Sequence, residues 1–437
     1  MSDSPRTSAA PARPGEEDQV YKKVGRRLLP FLLLCYTFAY LDRVNIGFAK
    51  LHMQEEIALT EAAFGLGAGL FFLAYAVFEV PSNLLMEKIG AKRTITRIMV
   101  LWGLASASMA FVQSEAMFYA LRILLGVFEA GFAPGIILYL TYWYSARRMA
   151  AAMGIYMLAG PIGSIFGSGV SALIITGTDG VAGLSGWQWM FLVEGLPCVV
   201  LGYLFWRMMA DRPQDAHWLS AREKEVIAAA VARNRSAGTH SFAAALKNGQ
   251  IYIMSAAYFG IMCGIYAISF WLPTILQENG VEGTLAIGFL TAVPYLFAIA
   301  AMVVLGRTSD RYQDRRWHTI VPTAVGCAAL LASSLTGHVF AASFSAMIVA
   351  TAAVWAAYTV FWAVPAEHFA GTAAAGGIAF INTIGILGGF VSPYLIGLVK
   401  DTTGSTQLGL TAMVALLALS TAALFLIRHP GRTGAGT

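Results

Sequence analysis

The chain has 437 residues, of which 57% are hydrophobic and only 12% charged, too few charges to cover a soluble body of that size. Its net charge of +5 comes from basic residues spread between apolar segments rather than gathered on one solvated face, which excludes a nucleic-acid footprint. Cys35, Cys198, Cys263 and Cys327 lie inside apolar stretches without CxxC or Cys/His spacing, so neither a disulfide framework nor a metal site is expected, and no cofactor is called for.

Residues 1–19 are rich in Ser, Ala, Pro and Glu and lack the basic-then-apolar order of a cleaved signal, so residues 1–24 are expected to form a disordered tail. A helix rising about 1.5 Å per residue needs about 20 apolar residues to cross a hydrocarbon core of about 30 Å. Twelve such stretches follow, centred on 26–48, 62–84, 95–113, 116–139, 150–175, 187–208, 250–274, 286–306, 318–337, 341–364, 373–397 and 408–428. The pattern predicts an all-α integral membrane protein with one six-helix bundle over 25–208 and a second over 250–428. Between them, 209–249 reads as a linker: Ser220 and Glu223 have capping-box spacing, and an amphipathic surface helix is expected through Val231 to Arg235. Residues 429–437 form a short tail.

Of the 29 Lys and Arg, 25 fall on the face shared by the two termini, against Lys50 and Lys400 opposite and Arg43 and Arg122 within helices. The positive-inside rule then makes both termini cytoplasmic in a cell inner membrane. Comparing the halves reveals a repeat: LMEKIGAKR follows the second stretch and GRTSDRYQDRR the eighth, and a shift of 223 residues superposes them. Parallel six-helix repeats are a transporter architecture, with the solute held near the midplane between the halves.

With these loops in view, the sequence resembles the major facilitator superfamily, whose loop signature is Gly-x-x-x-Asp-Arg-x-Gly-x-Arg-Arg. The second copy keeps Gly306, Asp310, Arg311, Arg315 and Arg316; the first has Asn83, Glu87, Lys88, Gly90, Lys92 and Arg93. Further segments make it similar to the anion:cation symporter branch, which carries sugar acids, tartrate, phthalate and hydroxyphenylacetate. These are YLDRVNIG (40–47), FEVPSNLL (78–85), RILLGVFEAGFAPG (122–135), DRPQDAHWLS (211–220) and GTAAAGGIAFINTIGILGGFVSPYLIG (371–397). The resemblance implies a major facilitator fold and gives the loop residues Glu87, Lys88, Arg93, Asp310, Arg311 and Arg315 a gate role. Asp310 would pair with a neighbouring helix end or Arg, or the loops serve only as topological anchors.

Charges inside membrane helices cost at least about 2.5–3.5 kcal/mol and are functional by default. Tyr36, Tyr40, Arg43 and Gly47 share one stripe of the first helix while Asp42 looks toward a neighbour. An arginine fork matches a carboxylate bidentately, so Arg43, with Tyr40 beside it, is the candidate for the solute's acid group. A structural Asp42–Arg43 network is the alternative. Glu129 lies in the fourth helix with no counter-charge within a helical turn; a carboxyl that is neutral when dry and ionised when wet suits proton carriage, because alternating access changes its hydration. Arg122, about 10.5 Å earlier on the same face, could support it, and a permanently protonated hydrogen-bond donor is the other reading of Glu129. The resemblance implies proton coupling for Asp42 and Glu129 and solute binding for Arg43. Glu79 and Glu194 are read as structural.

The repeat places Ile265 opposite Asp42 and Ala352 opposite Glu129, so the second half lacks these charges and is expected to shape the rest of the pocket. Tyr258, Tyr266, Trp355, Tyr358, Trp362, Thr359 and Asn382 are its candidates; a lone Asn in an apolar helix needs a partner, and a solute group is one. The resemblance matches Tyr75, Thr359, Trp362 and Asn382 to pocket positions, whereas a lipid-facing belt is the alternative for the aromatics, Trp355 above all. No GK dipeptide occurs, which excludes a Walker A loop, and neither HExxH nor GxSxG points to an enzyme. The expectation is a monomeric secondary carrier that takes up a small carboxylate with protons. The Gly160-Pro161 pair partly matches an antiporter motif and leaves exchange open.

Overall fold

The computed structural model describes residues 15–232, 248–368 and 371–427. Among them are twelve helices long and apolar enough to cross a membrane. They run Glu16–Glu56, Glu61–Ile89, Ala91–Phe111, Glu115–Thr141, Ala151–Thr178, Gly186–Met208, Gly249–Glu278, Thr284–Tyr312, Trp317–Leu335, Phe340–Pro365, Gly376–Thr403 and Thr406–Leu426, here spans 1 to 12. The first helix starts at Glu16, inside the tail expected to reach residue 24, because Val20, Tyr21 and Val24 are buried and extend its packing face.

Several spans are broken where the sequence weakens the helix. Span 1 is interrupted at Asn45, between Glu16–Val44 and Ile46–Glu56. Span 4 stops at Glu129 and restarts at Phe132, since Gly131 takes a φ of +85° that a side chain would resist. Span 11 pauses at Leu387, between Gly371–Ile386 and Gly388–Thr403. In the linker, Ser220 N donates to Glu223 Oε2 (2.8 Å) and Glu223 N to Ser220 Oγ (3.2 Å), the reciprocal capping box its sequence requires. The helix it caps, Ala221–Ala232, buries Val226, Ile227 and Ala230; the Val231–Arg235 helix expected here lies beyond 232 for the most part and so outside the described residues. Lys23 on the first helix pairs with Glu223 at 2.8 Å, and Trp218 stacks on Trp143, so the linker is held against the first bundle.

The two bundles meet along two seams related by the repeat. Span 2 lies on span 11 and span 5 on span 8, and in each seam a glycine lets backbones touch. A Cβ on Gly65 would fall 2.3 Å from the Pro393 carbonyl oxygen, and one on Gly288, which is 223 residues later, 2.7 Å from the Ser168 carbonyl oxygen. Between the seams, a Cβ on Gly47 of span 1 would meet the carbonyl oxygen of Phe270 of span 7 at 2.9 Å. Residues 47 and 270 are also one repeat apart, and equivalent residues can touch only near the axis that relates the halves.

Candidate functional site

Buried charges gather where span 1 breaks. Arg43, in the last helical turn before Asn45, directs Nε and Nη2 at Glu129 Oε1 (2.7 and 2.5 Å), and Glu129 itself ends the first piece of span 4. Neither exposes more than 3% of its surface, so the counter-charge that span 4 does not supply to Glu129 comes from span 1. The rings of Tyr40, Phe71 and Tyr75 lie 5.3, 5.6 and 5.3 Å from the Arg43 guanidinium carbon, cation–π contacts that hold the fork without using its hydrogens.

Asp42 faces the other way, as adjacent helical residues must. It accepts hydrogen bonds from Trp102 Nε1 and Ser106 Oγ of span 3 and from Asn45 Nδ2 (3.3 Å). Asn45 also donates to Glu194 Oε2 (2.9 Å), and Ser171 donates to Glu194 Oε1 (2.7 Å), so Asp42, Asn45 and Glu194 form one polar chain through spans 1, 3, 5 and 6. Asp42 and Arg43 thus belong to separate clusters, and the alternative of a shared Asp42–Arg43 network does not match the geometry. Arg122, two turns from Glu129, donates to the carbonyls of Gly67 and Ala68 in span 2 (3.2 Å each).

From the second bundle, Trp355 is 1% exposed and its ring lies 5.8 Å from that of Tyr40, which removes it from any lipid-facing belt. Tyr358 packs edge-on to Trp355, Tyr258 stacks on Phe361 and meets Trp362 edge-on at 4.8 Å, and Tyr266 crosses to Phe72 of span 2 at 4.3 Å. Thr359 donates to the Trp355 carbonyl of its own helix (3.0 Å). The partner of Asn382 is not a solute here but Glu79 of span 2, whose Oε1 accepts from Asn382 Nδ2 at 3.0 Å; burial makes any available acceptor attractive to that amide. The hydroxyls of Tyr156 and Tyr266 are buried without a protein partner, as is Glu79 Oε2.

Glu87, Lys88 and Arg93 are exposed. Of the two partners expected for Asp310, a helix end or an Arg, it takes the Arg, pairing with Arg315 of its own motif (2.6 Å), and Arg315 also donates to Ser309 (3.0 Å). Gln313 takes a φ of +51° at the position where the first copy has Gly90 at +91°, so this turn needs the left-handed conformation even where glycine has been replaced. Asp211 of the linker accepts from Lys92 N (2.7 Å), tying the first copy to the DRPQD segment.

A cluster that sequence reasoning missed seals the opposite end. Lys50 and Lys400, the two cations noted on that face, both bind Glu61 (2.6 and 2.5 Å), and Lys400 also binds Glu278 (2.9 Å). Lys50 donates to Thr274 (3.2 Å), Thr406 to Glu278 (2.8 Å), and Asp401 accepts from the N–H groups of Glu61 and Ala62 (2.9 and 2.8 Å) at the start of span 2. The Trp271 ring lies 3.9 Å from Lys50 Nζ. This clasp draws spans 1 and 2 of one bundle to spans 7, 11 and 12 of the other.

Residues 32–393 match the model of the Major Facilitator Superfamily. The chain is 43% identical over 404 residues to the "Putative metabolite transport protein NicT" of Pseudomonas putida, covering 92% of each. It is 43% identical over 407 residues to a "Putative tartrate transporter" of Agrobacterium vitis (92% of this chain, 93% of the relative) and 36% identical over 416 residues to the "Inner membrane transport protein RhmT" of Escherichia coli (94% and 96%). Among solved structures, a bacterial homolog of the human lysosomal transporter Spinster, in an inward-facing and occupied conformation, superposes with a TM-score of 0.75 at 15% identity (92% of this chain, 96% of that one). A D-xylose-proton symporter gives 0.74 at 14% (92% and 96%), so the fold is shared well beyond sequence likeness. With twelve spans, two repeat-related bundles and matches of this extent, the chain belongs to the Major Facilitator Superfamily and is a multi-pass secondary transporter, not an enzyme.

Proposed function

We propose that the protein takes up a small organic anion together with protons, with Arg43 receiving the solute carboxylate and Glu129 carrying the exchangeable proton. The observation behind this reading is the Arg43–Glu129 ion pair, 2.5 Å long and buried. An ionised Glu129 and a solute carboxylate compete for one guanidinium. Protonating Glu129 removes its claim on the fork, so a proton and an anion are each bound better when the other is present. Asp42, held by Trp102, Ser106 and Asn45, is the second coupling carboxylate. Tyr40, Tyr75, Tyr258, Thr359, Trp362 and Asn382 line the solute's path between the bundles.

The tartrate named for one relative and the general metabolite role named for another agree with a carboxylate cargo. Loading is from the side opposite the termini, a reading supported by the positive-inside bias of the lysines and arginines; on that reading the Lys50–Glu61–Lys400–Glu278 clasp corresponds to the closed outer gate. The test is transport by the purified protein in vesicles. An inward proton gradient should drive accumulation of an organic acid by the native chain, and Glu129→Gln should abolish accumulation while anion exchange persists. Normal accumulation by Glu129→Gln would overturn the coupling role. Exchange without any response to a proton gradient in the native chain would favour an anion exchanger of the same fold, to which the Gly160-Pro161 pair in span 5 also points.

A further inference from the structure

We infer that Glu79 forms a second polar pole of the solute site and selects monocarboxylates that carry a hydrogen-bond donor at the end remote from the carboxylate, sugar acids being the simplest class. The inference rests on Arg43 as the carboxylate receptor.

Glu79 is 4% exposed in the middle of a membrane span, and its two oxygens have different fates. Oε1 accepts from Asn382 of the opposite bundle at 3.0 Å, while Oε2 is buried with no protein partner. A buried carboxylate oxygen left without a donor is costly, and such atoms are retained where a ligand or water completes them. Asn382 itself is only half-buried, so the pair borders accessible space rather than a dry helix contact. Tyr75 lies one turn earlier on the same face of span 2, with its ring 5.3 Å from the Arg43 guanidinium carbon. Four residues of helix put Glu79 about 6 Å farther along. A solute whose carboxylate reaches Arg43 therefore presents its other end to Glu79.

The chemistry of the two poles is opposite. Around Arg43 the groups without a hydrogen-bond partner are its own Nη2 and the hydroxyl of Tyr266, which lies within electrostatic reach of the guanidinium. An ionised Glu79 offers acceptor oxygens only. A distal hydroxyl satisfies Oε2; a methyl group leaves it orphaned; a second carboxylate meets like charge in a poorly screened site.

Three probes that differ only at the distal carbon separate these cases: D-gluconate, 6-deoxy-D-gluconate and D-glucarate. Their affinities would be measured by thermal-shift titration of the purified native protein and of Glu79→Gln, Glu79→Ala and Arg43→Ala. The native protein should bind gluconate about tenfold or more tightly than either analogue. Glu79→Ala should bring both ratios below about threefold. Glu79→Gln, whose amide oxygen can still accept from Asn382, should recover glucarate binding while keeping part of the preference for gluconate over the deoxy compound. If the Glu79 variants weaken all three probes by one common factor, Glu79 is structural and the inference is overturned. Unchanged ratios, or a native protein that does not distinguish the probes, overturn it too. Loss of the parent reading looks different: Arg43→Ala would bind all three as well as the native protein does, whereas a native protein that bound none of them would overturn the Glu79 inference alone.

Discussion

Arg43 and Glu129, 86 residues apart, are joined through a single carboxylate oxygen: Oε1 accepts a hydrogen bond from Nε (2.7 Å) and sits 2.5 Å from Nη2 as an ion pair, while Nη2 and Oε2 have no hydrogen-bond partner. A bidentate fork would use both oxygens. The pair is therefore strong but incompletely matched, which is what an interaction that must be exchanged for a solute requires.

Removing Arg43 leaves a buried carboxylate without its cation, a defect that costs about 3–5 kcal/mol when a buried pair is broken. Arg43→Ala should therefore lower thermal stability as well as acid binding, and Arg43→Ala with Glu129→Gln should regain most of the stability without regaining binding. Arg43→Lys should bind acids weakly, since a point charge does not reproduce the fork. Melting curves of the native protein and these three variants with and without an acid ligand test both statements; equal acid binding by Arg43→Ala would contradict them.

Breaking the clasp should favour the state open on that side. Ser392, fully buried in span 11 beside the Gly65 contact, can be replaced by cysteine as a reporter with little change in volume. In vesicles, Glu61→Gln should increase labelling of Ser392→Cys by an impermeant maleimide about tenfold, which corresponds to about 1.4 kcal/mol of lost gate stability. An unchanged labelling rate would mean that the clasp follows closure rather than causing it.

The Gly65 contact leaves no room for a methyl group, 2.3 Å being far inside van der Waals separation from the Pro393 oxygen. Gly65→Ala should cost about 1–3 kcal/mol of stability through the backbone shift it forces, and Gly65→Val should abolish transport in protein that still reaches the membrane. Native uptake by Gly65→Val would show that the seam is not tight during the cycle.

The linker carries a pH-dependent contact outside the membrane. The Lys23 ammonium, together with the Ser220 cap, holds the Glu223 carboxyl below its ordinary value of 4.5. A depressed carboxyl stabilises the fold above its ordinary value and loses that contribution as the pH falls from there through its lower folded-state value. Because the pair is solvent-facing, the effect is a few tenths of a kcal/mol, and Glu223→Gln should flatten the acid limb of the stability profile slightly. An unaltered acid limb would leave linker docking to its other contacts, the Trp143–Trp218 stack and the Arg222–Glu16 pair among them.

Span number, the repeat and the principal buried charges were legible because membrane helices must be long, apolar and internally hydrogen-bonded, so a charge within one stands out at once. What Asp42, Glu79 and Arg122 touch was not legible, because each partner lies on another span and depends on helix rotation. Arg122 shows the difficulty: sequence spacing puts it on the face of Glu129, yet its fork turns to carbonyls that no sequence pattern marks. The clasp was missed for a related reason. Charges at span ends look like ordinary interfacial residues until two bundles bring four of them within 3 Å.

The glycines at 65 and 288 stand one duplication unit apart, on either side of an axis marked by Gly47 against Phe270. Mechanically they are a matched pair of bearings. A rocking motion about that axis loads both alike, and a slight thickening of one without the other would tilt the motion, where a larger one would stop it. Suppressors of a mild substitution at Gly65 should then be sought 223 residues away, against Ser168 and Ala172, in a part of the chain that touches neither the damaged seam nor the solute.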